Sequence, residues 1–191
     1  MIREQLIYGL GRLSALARQR EWSAGEQAGL TPTQGDALRL LKDRPQGLRL
    51  NQLAAQLSVR PSTASDTVSA LLAKGLVDRL PDPENTRAIR VNLTKAGQEV
   101  VGVMPDGHSL MVAVLSDPEV EAMHASVLSA IMRLQQAGKI AKQRMCMTCR
   151  YFVTDGDMNK SEQAFCNLVG IALQPADLRT NCLEHEEFLS S

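Results

Sequence analysis

Three features of this 191-residue sequence predict a mainly α-helical fold with a small β wing. Apolar residues recur at spacings of three and four through roughly the first 140 positions, which is helix periodicity. Just after Gly75 that period yields, for one short stretch, to the alternation of two strands around a polar turn. All four cysteines then fall between Cys146 and Cys182, behind a long stretch that has none. The expected architecture is a winged helix-turn-helix over 30–103 and a helical dimerisation region built from 1–29 and 104–142. A small cysteine-rich, metal-binding segment over 143–191 completes it.

Each element has a local reason. Leu6, Leu10, Leu13, Leu16 and Ala17 make 2–28 a helix. Thr31 is a good N-cap and Pro32 suits the first helical position, so a second helix starts there and stops before Pro45 and Gly47. Leu50, Leu53, Ala54 and Leu57 share one face of a short third helix, and Ser58-Val59-Arg60 is the turn after it. Pro61-Ser62 opens a fourth helix that runs to Lys74 and is stopped by Gly75. Leu76, Val77 and Leu80 then read as one strand, and Ile89, Val91 and Leu93 as a second. The polar run Pro81 to Thr86 turns between them. Thr94 caps a helix to about Val103, a short helix lies within 108–115, and Asp117-Pro118-Glu119 opens a long one to about Lys139. Its apolar stripe is Val120, Met123, Val127, Leu128, Ile131 and Leu134.

Charge is distributed unevenly. Formal net charge is zero, yet Arg44 to Lys95 carries eight basic and four acidic residues, whereas Asp155 to the end carries two and seven. A basic module beside an acidic one is the pattern of a DNA-facing domain with a separate appendix. Aromatic residues make up 3% of the chain, which leaves little for stacking on single-stranded nucleic acid. Arg3 and Glu4 follow Met1-Ile2 directly and no long apolar run succeeds them, so neither a signal peptide nor a membrane span is expected and the location is cytoplasmic.

The fourth helix divides as a recognition helix must. Ala64, Val68, Leu71 and Leu72 form a seam that holds it to its domain, while Ser62, Thr63, Ser65, Asp66, Thr67 and Ser69 supply short polar side chains for a major groove. Arg60, Pro61, Ser62, Thr63, Ser65, Asp66, Ser69, Arg87 and Arg90 are the candidate DNA-binding residues. The run LTPTQGDALRLL…LNQLAAQLSVRPSTASDTVSALLAKGLVDRLPDPENTRAIRVNLTKAG, from Leu30 to Gly97, resembles the winged helix of MarR-type transcription regulators. That resemblance implies a homodimer on a pseudo-palindromic operator of double-stranded DNA, with Pro61–Lys74 in the major groove and Arg87 reaching the minor groove. It also marks a departure: the family's wing carries an acidic residue and an arginine just before the tip arginine, where this chain has Asn85 and Thr86.

The cysteine spacing is Cys146-x2-Cys149-x16-Cys166-x15-Cys182. A C-x2-C turn aims two thiolates at one metal, and two further cysteines complete a four-thiolate shell that suits zinc or an iron–sulfur cluster. Little apolar sequence surrounds them, so a metal would be the main staple. Cys182-x2-His185 permits a zinc arrangement of Cys146, Cys149, Cys182 and His185 with Cys166 left over. The run CMTCRYF…FCNLVG…NC is similar to the cluster loop of high-potential iron–sulfur proteins, which implies that a cubane (4Fe-4S) fits. Both metals stay open on the sequence, with the cluster placed ahead.

The expected function is a DNA-binding transcription regulator, a repressor, whose operator affinity follows the redox or metal state of the cysteine centre. A MarR-type regulator with a structural zinc and a small-molecule effector is the second possibility. A dithiol redox enzyme is a distant third, because no βαβ pattern surrounds the C-x2-C. His108 and His124 read as isolated side chains, and no catalytic constellation is expected.

Overall fold

The chain divides after Leu115 into two units, Met1–Leu115 and Ser116–Ser191. The structure is a computed structural model that describes residues 1–83, 85–154 and 164–187, apart from the side chains of Thr86 and Arg87.

In the first unit, α1 (Ile2–Gln27) is followed by α2 (Pro32–Lys42). Thr31 caps α2 as its chemistry predicts: its hydroxyl oxygen accepts from the Gln34 N–H (3.4 Å), and Gln34 Oε1 accepts in return from the Thr31 N–H (3.3 Å). A two-residue strand, β1 (Leu48–Arg49), leads into α3 (Leu50–Leu57). Gly47 permits that entry: its φ is +69°, and a side chain there would run into the Val91 carbonyl and Asn92. Ser58 takes a left-handed φ of 55° to make the turn into α4 (Pro61–Ala73). Lys74 ties the end of α4 to α2 by donating to Gln34 Oε1 (2.9 Å).

The wing is β2 (Val77–Asp82) and β3 (Asn85–Leu93), and β1 pairs on the free side of β3 to give the antiparallel order β1-β3-β2. Val77 faces Leu93 and Leu48 faces Val91 across the ladders. The alternation predicted for Ile89, Val91 and Leu93 ends early. Val91 is buried, but Ile89 is 56% exposed, because the hairpin has by then run past the core. That core joins Leu38 and Leu41 of α2, Leu53 of α3, Val68 and Leu71 of α4, and Val77 and Val91 of the wing. Val101 of α5 (Lys95–Val103) closes it, and the short α6 (Ser109–Ala113) follows.

The second unit begins with α7 (Asp117–Gln136), whose start is a capping box between Ser116 and Glu119. Beyond it the cysteine-rich segment has more regular structure than its polar sequence suggests. Strands β4 (Phe152–Thr154), β5 (Ala164–Cys166) and β6 (Ile171–Leu173) form an antiparallel sheet in chain order. The polar stretch Asp155 to Ser161 lies outside the described residues. Among those described, Met145, Cys149 and Leu173 are buried.

Candidate functional site

Helix α4 presents the face the sequence predicts. Ala64, Val68 and Leu71 are buried under it, while Arg60, Pro61, Ser62, Thr63, Asp66 and Ser69 are exposed and Ser65 is half-buried. Among the described residues no side chain caps its first turn. The leading N–H groups and the positive end of the helix dipole are therefore left for an anion such as a phosphate. One residue of the polar set belongs elsewhere. Thr67 is buried, and its hydroxyl donates back to the Thr63 carbonyl at 2.8 Å. Sequence polarity named it correctly as polar and misplaced it by one helix face.

The wing base is built around Asp82, which is 1% exposed. The Arg49 Nε donates to Asp82 Oδ2 at 2.5 Å, and the Arg90 Nε lies 2.9 Å from the same oxygen. A buried carboxylate needs such partners, because an uncompensated charge away from water is costly. Arg90 was expected on the DNA-binding surface; its side chain is instead 12% exposed and committed to Asp82. The cause is register. Leu80 pairs with Arg90, and the ladder shifts register between Pro81 and Asp82, where the carboxylate meets the Arg90 side chain. Arg49, which sequence reasoning did not single out, completes the clamp from β1. The side chain of Arg87 lies outside the described residues.

In the second unit the four cysteines converge. Cys146, Cys149, Cys166 and Cys182 line one cavity together with Tyr151, Phe152, Leu168, Leu173 and Glu184. Backbone geometry sets each in place. Cys146 and Cys149 bracket a tight turn closed by the Cys149 N–H to the Cys146 carbonyl (2.9 Å). Cys166 ends the central strand β5 opposite Phe152 and Ile171. The Cys182 N–H is held by the Arg144 carbonyl at 2.8 Å, and the Arg179 N–H donates to Cys146 Sγ at 3.2 Å. Burial pushes the Cys146 thiol above its ordinary value; the Arg179 N–H works against that, and Cys182 and Cys166 add to it. His185 is not part of the lining. Its Nε2 is 3.0 Å from the Thr148 hydroxyl, and burial, as the largest influence, lowers its pKa and so favours the neutral ring.

The segment is anchored to α7. The Gln135 Nε2 donates to the sulfur of buried Met145 at 2.9 Å, and Gln135 Oε1 accepts from the Gln143 N–H. Farther up, Gln174, Pro175 and Ala176 face Val120, Glu121, His124 and Ala125 across a groove. Elsewhere, His108 is less isolated than its sequence suggests: a ring nitrogen lies within 4.8 Å of carboxylate oxygens of Glu21 and Asp106. Among the described residues no helix is long and apolar enough to cross a membrane.

The comparisons with known proteins agree with this geometry. The MarR family model matches residues 30–89. No curated protein sequence matches the chain. Among solved structures, the MepR–DNA complex of S. aureus is 27% identical, with a TM-score of 0.55 over 66% of this chain and 96% of that one. A probable transcriptional regulator from Pseudomonas aeruginosa is 26% identical, with a TM-score of 0.52 over 68% and 99%. CouR from Rhodococcus jostii RHA1, solved bound to p-coumaroyl-CoA, is 21% identical with a TM-score of 0.59 over 68% and 94%, and shares the fold. Over residues 30–89 the winged helix of this chain matches the MarR family and is similar in fold to solved MarR-type structures.

Proposed function

We propose that the protein is a dimeric transcription repressor that binds a pseudo-palindromic operator and responds to the state of a metal centre held by its four cysteines. The observation that carries the DNA-binding part is α4, with a buried apolar seam, an exposed polar face and an uncapped N-terminal turn. The relative solved on DNA supports it. Ser62, Thr63, Ser65, Asp66 and Ser69 meet base edges, Arg60 and the first-turn N–H groups meet phosphate, and Arg87 extends from the wing. Arg90 has no direct part; it holds the wing's base through Asp82. A dimer seated on a promoter blocks polymerase by occupying the duplex, which makes repression the assigned action.

Dimerisation is supported by apolar surface that one chain leaves in water. Leu6 is 61% exposed and Leu10 47%, and Leu13 and Leu16 continue the same stripe along α1. On α7, Val127 and Leu134 are exposed as well. Two copies burying such stripes about a two-fold axis set two recognition helices one DNA turn apart. Sensing enters through α7, because Gln135 joins it to the cysteine segment at Gln143 and Met145. A small shift there is transmitted to helix spacing, and hence to the fit on both half-sites.

Selection of bound duplexes from a random pool tests the reading. It should return a palindrome whose half-sites are centred about 10 bp apart, bound by a dimer. A chain that stays monomeric at micromolar concentration, or selects no sequence, contradicts it.

A further inference from the structure

The spacing of the four sulfurs bears on which metal group they hold. A single zinc bound by thiolates at about 2.3 Å draws its sulfurs to roughly 3.8 Å from one another. Among the described residues, only Glu21, Asp106 and His108 bring three ligand atoms within 4.8 Å of one another, so no three of the cysteine sulfurs are that close. Yet all four line one cavity. Sulfurs that share a cavity without sharing an atom-sized centre fit a group in which different thiolates bind different metal ions. Iron–sulfur clusters are built that way.

The surroundings agree. Tyr151, Phe152, Leu168 and Leu173 line the same space and would keep water from a cluster. The Arg179 N–H on Cys146 Sγ is the kind of hydrogen bond that tunes cluster potential. A four-thiolate zinc is disfavoured by that spacing, and the second zinc arrangement needs His185 as a ligand and leaves Cys166 out. The structure has the reverse: Cys166 lines the cavity, while His185 is bonded to Thr148.

We infer that the cavity holds an iron–sulfur cluster ligated by Cys146, Cys149, Cys166 and Cys182, and not a mononuclear zinc ion. This rests on the reading of the four cysteines as one metal centre. The test is metal and sulfide analysis of the full chain, purified without oxygen and reconstituted with ferrous iron and sulfide. Iron and inorganic sulfide should be present in equal amounts, at least two of each per chain, with a brown colour that fades on reduction. Cys166→Ser should lose that colour and His185→Ala should keep it.

One zinc per chain without sulfide overturns the inference, as does a Cys166→Ser protein that retains its metal or a His185→Ala protein that loses it. Circular dichroism of each variant reports whether it has folded, and the wild-type analysis decides the question without any variant. The sensing proposal fails separately. A brown protein whose DNA affinity ignores cluster loss keeps this inference and removes sensing, and a zinc protein whose affinity responds to metal does the opposite.

Discussion

Removal of the Asp82 carboxylate should loosen the wing by a calculable amount. The group is fully buried and both arginines converge on a single oxygen, so Asp82→Ala takes that oxygen from two guanidinium groups at once. Breaking a buried ion pair from one side typically costs about 3–5 kcal/mol. Arg49 keeps 34% side-chain exposure and can turn to water, whereas Arg90 keeps 12% and cannot. The expected loss is therefore about 2–3 kcal/mol, below the fully buried figure. Asp82→Asn keeps an acceptor and should lose about half as much. Urea titration followed by the fluorescence of Trp22, the chain's one tryptophan, should show the midpoint falling with little change in slope. A double-mutant cycle with Arg90→Ala should give a coupling energy above about 1 kcal/mol. A loss under about 0.5 kcal/mol, or strict additivity in the cycle, would refute the clamp and return Arg90 to the candidates for phosphate contact.

Arg87→Ala should weaken operator binding without changing folding or dimerisation, and a pure phosphate contact would lower the salt slope by about one unit. Titrations at several salt concentrations decide it, and unchanged affinity makes Arg87 a solvated turn residue. Met145→Ala should destabilise the second unit by about 2–5 kcal/mol, since its side chain is wholly buried; thermal unfolding checks this, and a cost below 1 kcal/mol would mean the site collapses without loss. Glu119 accepts from both the hydroxyl and the N–H of Ser116, which hold its carboxyl below the ordinary range. Its capping contribution is therefore present above the ordinary carboxylate range and lost as pH falls through that lowered value. An NMR titration should place Glu119 below other exposed glutamates and return it toward them in Ser116→Ala.

The helices were legible in the sequence because their determinants are local. Thr31 with Pro32, Pro61 with Ser62, and Asp117-Pro118-Glu119 each mark a boundary within a few residues of themselves. What the sequence concealed depends on distant pairing. Arg90 reads as a surface cation until strand pairing sets Asp82 beside it across the hairpin. Strand β1 is only two residues long, too short for any period, and exists because Leu48 and Arg49 find Val91 and Arg90. In the cysteine segment, spacing identified the four thiols but not how far apart they sit. That distance is set by the β4-β5-β6 sheet and the Arg144 and Arg179 backbone contacts, which no periodicity foretold.

The central claim is that the cysteine centre and the operator site are coupled through α7. It is tested most directly by titrating one operator with holo protein, with apo protein and with Cys149→Ser. Coupling of about 1–3 kcal/mol predicts affinities that differ between holo and apo by roughly 5- to 150-fold, with Cys149→Ser matching apo. Equal affinities for all three, each an intact dimer, would contradict the claim and leave the centre a structural staple.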